Sequence, residues 1–464
     1  MTELRITVTN TSPTGGTALT PTYFGFHDGS FDLFNVGEAA SPGLESLAED
    51  GAAATLAQER LAVSPGSQGI VVAGAAGPID TQEVTTAIID VDGATNRFAS
   101  YGAMILPSND AFIGTDDAVE LFDASGNFLG ASRSVFEGTD VYDAGTEVNT
   151  ELDAAFINQT APNTGVDENG TVQLHPGFNG SAGNPEGDGD QIILGGTNAF
   201  GNFIDPVAAD FTLPGAQIAV VHINTVVTTE LTAGRDVFKG GDDDDIVTGG
   251  EGRDFLFGNA GYDDLFGGEG RDILFGGTGA DLLDGGEGRD LLFGGGGADR
   301  IFGGEGNDRA FGGDGNDLIE GGNGRDRLQG GDGNDNISGG AARDRLEGGA
   351  GDDVLSGGEG RDFLFGGSGD DVLNGGVGND RLYGGNGADR FVFASGDGRD
   401  RVDDFDASED SLQLIGTSIT DLAGLDAASR ERGGNLIIDL DGVDRIVLRD
   451  TTFDELNDGN VLFA

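Results

Sequence analysis

Gly249-Gly250-Glu251-Gly252-Arg253-Asp254-Phe255-Leu256-Phe257 reads Gly-Gly-x-Gly-x-Asp-x-U-x, with U apolar, and this nine-residue unit decides the fold. It recurs seventeen times from Gly240 to Val392 without an insertion or deletion. Position 1 is Gly and position 6 is Asp in every copy. Position 8 is always apolar, from Val247 to Phe391, with Ala310 the smallest. Glycine at positions 1, 2 and 4 lets the backbone turn through positive φ and brings carbonyls together. The closing x-U-x is a three-residue strand with one side chain turned inward. One unit buries too little apolar surface to stand alone, so copies stack.

A second period lies inside the first. Counting copies from Gly240, position 5 is Arg only in even copies (Arg253, Arg271, Arg289, Arg325, Arg343, Arg361). Position 3 is Glu only in even copies (Glu251, Glu269, Glu287, Glu305, Glu359). An 18-residue period is what a two-sided coil requires. The expected fold is all-β: a right-handed parallel β-roll with two repeats per coil, preceded by an antiparallel β-sandwich and followed by a β-rich cap. The nonapeptide resembles the calcium-binding repeat of the RTX, or hemolysin-type, family. The aspartate supplies a hard anionic oxygen, and calcium takes roughly six to eight oxygens, backbone carbonyls included. The metal-ligand candidates are Asp245, Asp254, Asp263, Asp272, Asp281, Asp290, Asp299, Asp308, Asp317, Asp326, Asp335, Asp344, Asp353, Asp362, Asp371, Asp380 and Asp389. With an ion between turns n and n+2, the roll holds up to about fifteen Ca2+.

Three copies depart from the pattern. Asp243 and Ala342 replace the position-4 Gly, and Asn259 replaces a position-2 Gly. Ala resists positive φ at about 1–2 kcal/mol, so a weak or distorted site is expected in the Ala342 copy. Asp243 is instead a candidate extra ligand. Positions 7 and 9 point outward, and the even copies present Phe257, Phe275 and Phe293 as an exposed ladder. An exposed apolar patch marks an interface, so self-association or docking through this face is expected. The even-edge Glu and Arg suggest a ladder of Glu–Arg pairs, each worth about 0–1 kcal/mol.

Acids number 82 against 24 Lys and Arg, for a formal net charge of −58. That balance excludes a nucleic-acid binder, which needs a basic footprint. A polyanion this strong repels itself, and bound calcium is the natural remedy. With no cysteine there is no disulfide, and metal binding becomes the available staple. Met1-Thr2-Glu3-Leu4-Arg5-Ile6 shows no basic region leading into an apolar one, so no signal peptide is expected. No apolar run reaches transmembrane length.

Residues 4–10 alternate like a half-buried strand. Ser41-Pro42 opens a helical stretch, and 52–62 forms a second. Strands are expected over 84–91, 98–106, 119–122, 171–174 and 217–224. Within this region Ser108-Asn109-Asp110-Ala111-Phe112-Ile113-Gly114 and Asp143-Ala144-Gly145-Thr146-Glu147 resemble the paired signatures of the spondin domain. Asn109 stands where the family has Pro, and Glu147 where it has Asp. The resemblance implies a C2-like sandwich holding one calcium through Asp110, Asp143 and Glu147, and contact with an extracellular matrix or cell-surface protein or glycan. Read without the resemblance, these acids are solvated loop residues.

After Val392 the repeats fade. The stretch to Asn460-Val461-Leu462-Phe463-Ala464 resembles the C-terminal region of serralysin-type proteins, which implies an uncleaved signal for the type I secretion machinery. Asn460 departs from the acidic residue usual there. The expected division is 1–230 sandwich, 231–395 roll, and 396–464 cap and secretion region.

Catalytic patterns are missing: there is no His-Glu-x-x-His, no Gly-x-Ser-x-Gly and no Gly-x-x-x-x-Gly-Lys. His27, His175 and His222 read as structural. The expectation is a secreted, extracellular, non-enzymatic calcium-binding protein. An extracellular hydrolase with its active site in residues 1–230 is the alternative.

Overall fold

The structure is a computed structural model that describes residues 1–12, 18–34, 40–44, 47, 53–74, 79, 84–106, 111–115, 117–137, 141–143, 173–174, 196–197, 203–204, 217–440, 444–457 and 459–463. It divides into two compact units, Met1–Val226 and Val227–Ala464.

In the first unit, alternating apolar residues build two antiparallel sheets. One orders Ser132–Glu137, Gln217–Glu230, Thr2–Asn10 and Val84–Val91. The other runs from Val141–Asp143 through Ala111–Gly114, Phe98–Leu106 and Thr22–His27 to Gln68–Val72. Leu4, Ile6, Val8 and Ile223 of the first share one core with Phe24, Phe26 and Tyr101 of the second. This is the sandwich expected from the alternation. Pro42–Leu44 is helical, with the Ser41 Oγ accepting the Leu44 N–H at 3.1 Å. The second helix is Ala54–Val63. The Gln217 strand runs six residues past the expected end, because Thr225-Val226-Val227-Thr228-Thr229 is a β-branched run that prefers extended backbone.

In the second unit the nine-residue period becomes a parallel roll of about 11 turns over residues 226–415. Ladders join residues 18 apart: Phe255↔Ile273, Leu256↔Leu274 and Phe257↔Phe275 on one sheet, Asp264↔Leu282 and Leu265↔Leu283 on the other. Two repeats per coil is therefore the geometry. Every position-8 side chain from Val247 to Phe391 is buried in one continuous apolar column. Strands are longer than the expected three residues, for example Phe255–Ala260 and Asp264–Gly270. The ladder resumes at position 2 of the next copy (Asn259↔Gly277, Gly268↔Gly286), where stacked glycine backbones still reach each other.

Positive φ falls at positions 2 and 4 of most copies but, against the expectation, at position 1 of none; the position-1 glycine is required instead by the close approach of the Asp carboxylate. Gly268 and Gly270 have φ of 99° and 150°. A Cβ at Gly268 or Gly270 would strike the carbonyl of the same position one coil earlier. Asn259 takes φ 79° and its Nδ2 donates to the Gly240 carbonyl at 2.7 Å. Ala342 is held at φ 87°, an outlay of about 1–2 kcal/mol carried by the stacked neighbours.

The roll continues past the last clean repeat. Arg390–Ala394 pairs in parallel with Ser411–Ile415, which pairs with Val461–Phe463. Arg399–Val402 pairs with Arg445–Leu448, which closes an antiparallel hairpin sheet with Asn435–Asp439 and Ser429–Arg432. Among the described residues, no helix is long and apolar enough to cross a membrane.

Candidate metal centre

The position-6 aspartates form two columns, one along each edge. All seventeen are 0–3% exposed. Each N–H donates to the Oδ1 of the aspartate one coil later: Asp245 to Asp263 at 2.8 Å, Asp299 to Asp317 at 2.8 Å, Asp371 to Asp389 at 3.0 Å. That bond fixes the carboxylate and uses one oxygen. In sixteen of the seventeen, Asp281 apart, Oδ2 is buried with no hydrogen-bond partner among the described residues. A buried carboxylate oxygen left bare costs several kcal/mol.

The titration of these groups reflects that cost. Burial pushes the Asp263 carboxyl up to about 8, with the charges of Asp281 and Asp245 adding to it. Burial also takes Asp299 to about 8, Asp290 and Asp335 to about 7, and Asp308 and Asp326 to about 6. Without a cation the roll favours neutral acids. A divalent ion reverses the preference.

The space beside Oδ2 is shaped by the position-1 glycine. A Cβ at Gly294 would run into Asp299 Oδ2 and come within 2.7 Å of the Gly312 carbonyl. Gly276 repeats this with Asp281 Oδ2 and the Gly294 carbonyl, also at 2.7 Å. Each rung thus joins one carboxylate oxygen to a backbone carbonyl in a cradle that only glycine leaves open. This donor set, all hard oxygen, fits calcium. Among the described residues no three His, Cys, Asp or Glu side chains gather as a metal cluster. The carboxylates are dealt one to a rung, so backbone carbonyls must complete any coordination shell.

A Gly294→Ala substitution is expected to remove one calcium from the stoichiometry and cost about 1–3 kcal/mol by overpacking. Gly296→Ala, where a Cβ meets nothing within 4 Å, is the matched control. Calorimetric calcium titration and thermal midpoints of both variants check it. Equal behaviour of the two would show that the cradle is not the site.

The ladder extends beyond the seventeen clean copies. Leu231–Lys239 reads as a decayed repeat with Gly234 and Asp236 at positions 4 and 6, and Asp236 donates its N–H to Asp254 Oδ1 at 2.8 Å. Asp380 donates to Asp400 Oδ1 at 2.9 Å and Asp389 to Asp410 Oδ1 at 3.0 Å. The signal was present: Gly398-Arg399-Asp400-Arg401-Val402 is a repeat shifted by two residues. In the Ala342 copy the rung is regular, with Asp344 donating to Asp362 Oδ1 at 2.7 Å.

Of the spondin-type ligands, Asp110 and Glu147 lie outside the described residues. Asp143 ends the strand Val141–Asp143, and its backbone is paired with Ala111, so strand register brings the two signatures side by side.

On the surface, Phe257, Phe275, Phe293 and Phe311 stack at 4.9, 4.7 and 5.0 Å between ring centroids, within 10° of parallel. The expected Glu–Arg ladder does not form among the described residues. The 18-residue register sets like over like, Glu251↔Glu269↔Glu287↔Glu305. In the first unit, buried His27 accepts the Gly29 N–H on Nδ1 at 3.1 Å. Its proton is then on Nε2, which donates to Ser100 Oγ at 3.1 Å. That direction is opposite to a base activating a serine. His222 is buried in the sheet opposite Thr7, and His175 lies outside the described residues.

Comparison with known proteins gives two family models. One described as RTX calcium-binding nonapeptide repeat (4 copies) matches residues 231–265, 257–292, 266–301, 293–328, 329–364 and 365–402. One described as Spondin_N matches residues 10–171. Among solved structures, the chain is similar to the AlgE6R3 subunit of the mannuronan C5-epimerase of Azotobacter vinelandii, at 30% identity, covering 27% of this chain and 81% of that one, TM-score 0.23. It is also similar to the extracellular lipase LipA of Serratia marcescens, at 19% identity, covering 52% and 42%, TM-score 0.18. No curated protein matches.

Proposed function

This chain carries RTX calcium-binding nonapeptide repeats and a Spondin_N domain, and from that premise we propose a secreted, non-enzymatic protein whose roll folds on calcium after export. RTX repeat proteins are typically exported, and neither matching family is catalytic. The observation that supports the reading most strongly is the double column of buried Asp carboxylates, in which sixteen Oδ2 atoms, Asp281 apart, have no hydrogen-bond partner among the described residues. Those carboxylates, with position-1 carbonyls, would hold up to about fifteen ions between successive coils. Calcium supplies charge neutralisation there. The chain's residues supply the cradle, the exclusion of water and the apolar column that locks the coils once they close.

In this reading residues 1–230 contact an extracellular matrix or surface partner, with Asp110, Asp143 and Glu147 as a further calcium site. Residues 231–395 are the calcium roll. Residues 396–464 close it and carry the type I secretion signal. The phenylalanine stack serves self-association. Native mass measurement during calcium titration tests the core of this. Saturation near fifteen ions supports the roll sites. Saturation at one or two ions would refute them.

A further inference from the structure

The even-copy sheet changes character along its length. The first copies present the phenylalanine stack, copies 8, 10 and 12 present a run of arginine, and an aromatic stack returns at Phe365 and Tyr383. Position 7 is Arg309, Arg327 and Arg345 in copies 8, 10 and 12, and register sets these directly opposite one another. Neighbouring strands lie about 4.8 Å apart. With Arg289, Arg325 and Arg343 from position 5, they line a surface concavity of about 670 Å³. A quarter of the 24 Lys and Arg of a strongly acidic chain therefore meets in one place.

Like charges directly opposite on adjacent strands destabilise a sheet. Little relieves them here. Among the described residues the one ion-pair partner of the six is Glu347, 3.4 Å from Arg345. Asp308, Asp326 and Asp344 also border the concavity, but these are buried calcium candidates, and a bound dication cancels their help. Arg343 and Arg345 lie over the rings of Phe363 and Phe365 at 4.9 and 4.0 Å. That stacking holds the guanidinium groups while leaving their N–H donors for a ligand.

We propose that this arginine concavity binds a linear acidic polysaccharide bearing carboxylate or sulfate on successive sugars. Guanidinium forks match such oxyanions bidentately. The rows repeat at the strand spacing, close to the advance of one pyranose along a chain. Duplex DNA, whose phosphates advance about 3.4 Å per strand, is out of step with it. The glutamate row of a second copy has the right spacing, but two chains of net charge −58 repel each other. A short glycan brings no such penalty. The site is additional to the matrix contact proposed for the spondin-like domain.

The test uses the calcium-loaded full chain, titrated calorimetrically with hexagalacturonate and, as neutral control, maltohexaose. Hexagalacturonate is expected to bind and maltohexaose not. Arg327→Gln with Arg345→Gln should weaken binding at least about tenfold, with calcium stoichiometry and circular dichroism unchanged. Arg327→Lys with Arg345→Lys keeps the charge, loses the fork, and should also lose most of the affinity. Arg253→Gln with Arg271→Gln, outside the concavity, should bind as wild type. Three results would overturn the proposal. The two hexamers bind alike or not at all; or the two glutamine pairs lose affinity equally; or the wild type sediments as a dimer that only the Arg327/Arg345 changes dissociate, giving the concavity to a second copy.

Discussion

Stripping calcium from the intact chain is expected to abolish the β signal of residues 240–392 and open that stretch to protease, while the first unit stays folded. The warrant is the size of the unpaired charge. Seventeen buried carboxylates lie along two edges, and sixteen have an Oδ2 with no hydrogen-bond partner among the described residues. At a hundredfold excess over its dissociation constant, each calcium adds about 2.7 kcal/mol to the folded state. A typical domain is stable by only about 5–15 kcal/mol in total. Losing a handful of sites therefore exceeds the whole margin. Apolar stacking does not rescue the roll, because each copy contributes a single buried side chain to the column. The check is far-UV circular dichroism and limited proteolysis, in calcium and after stripping. Identical spectra and identical fragments in the two conditions would end the idea that the metal makes the coils.

What was legible in the sequence, and what was not, follows from which interactions are periodic. The apolar column, the two-repeat coil and the Phe257–Phe275–Phe293 stack all repeat strictly every nine or eighteen residues, so they can be read without coordinates. The Oδ1 bond to the aspartate one coil earlier was not foreseen, since it depends on how the turn aims a backbone N–H. The expected Glu–Arg ladder fails for a related reason. Alternation along the chain suggested pairing, but a parallel register stacks each residue on its own kind, as with Glu251 and Glu269. Past Val392 the period breaks. Strand partners there are separated by 21 residues at Arg390↔Ser411, 46 at Arg399↔Arg445 and 49 at Leu412↔Val461. Loops of unequal length hide a coil that the backbone still completes, so Asp400 and Asp410 joined the ladder unannounced. Of the spondin-type ligands, which no period reveals, Asp143 lies within the described residues, its backbone paired with Ala111 beside the first signature.

Acidifying the calcium-stripped chain is expected to restore roll structure, the reverse of ordinary acid denaturation. The sign follows from the raised carboxyl groups. An Asp whose pKa in the roll is above its ordinary 3.8 favours the roll when protonated. Its contribution is complete below the unfolded value and is lost as pH rises through the folded one. Asp308 and Asp326 reach about 6, Asp290 and Asp335 about 7, and Asp263 and Asp299 about 8, burial being the first cause in each. The metal-free roll should thus lose order across the window from pH 6 to 8 set by these values and regain it on the way back. With calcium bound the sense inverts, because ligating carboxylates must be ionised and protons compete with the ion. Calcium affinity should fall over the same window in which the stripped chain gains β signal. The isoelectric point near 4.1 sets the lower limit of the titration, since the chain loses its solubilising charge there. The measurement is ellipticity from pH 8 down to 5, with and without calcium. A stripped chain whose signal is flat, or larger at pH 8 than at pH 5, would show that burial of these aspartates does not oppose the empty roll.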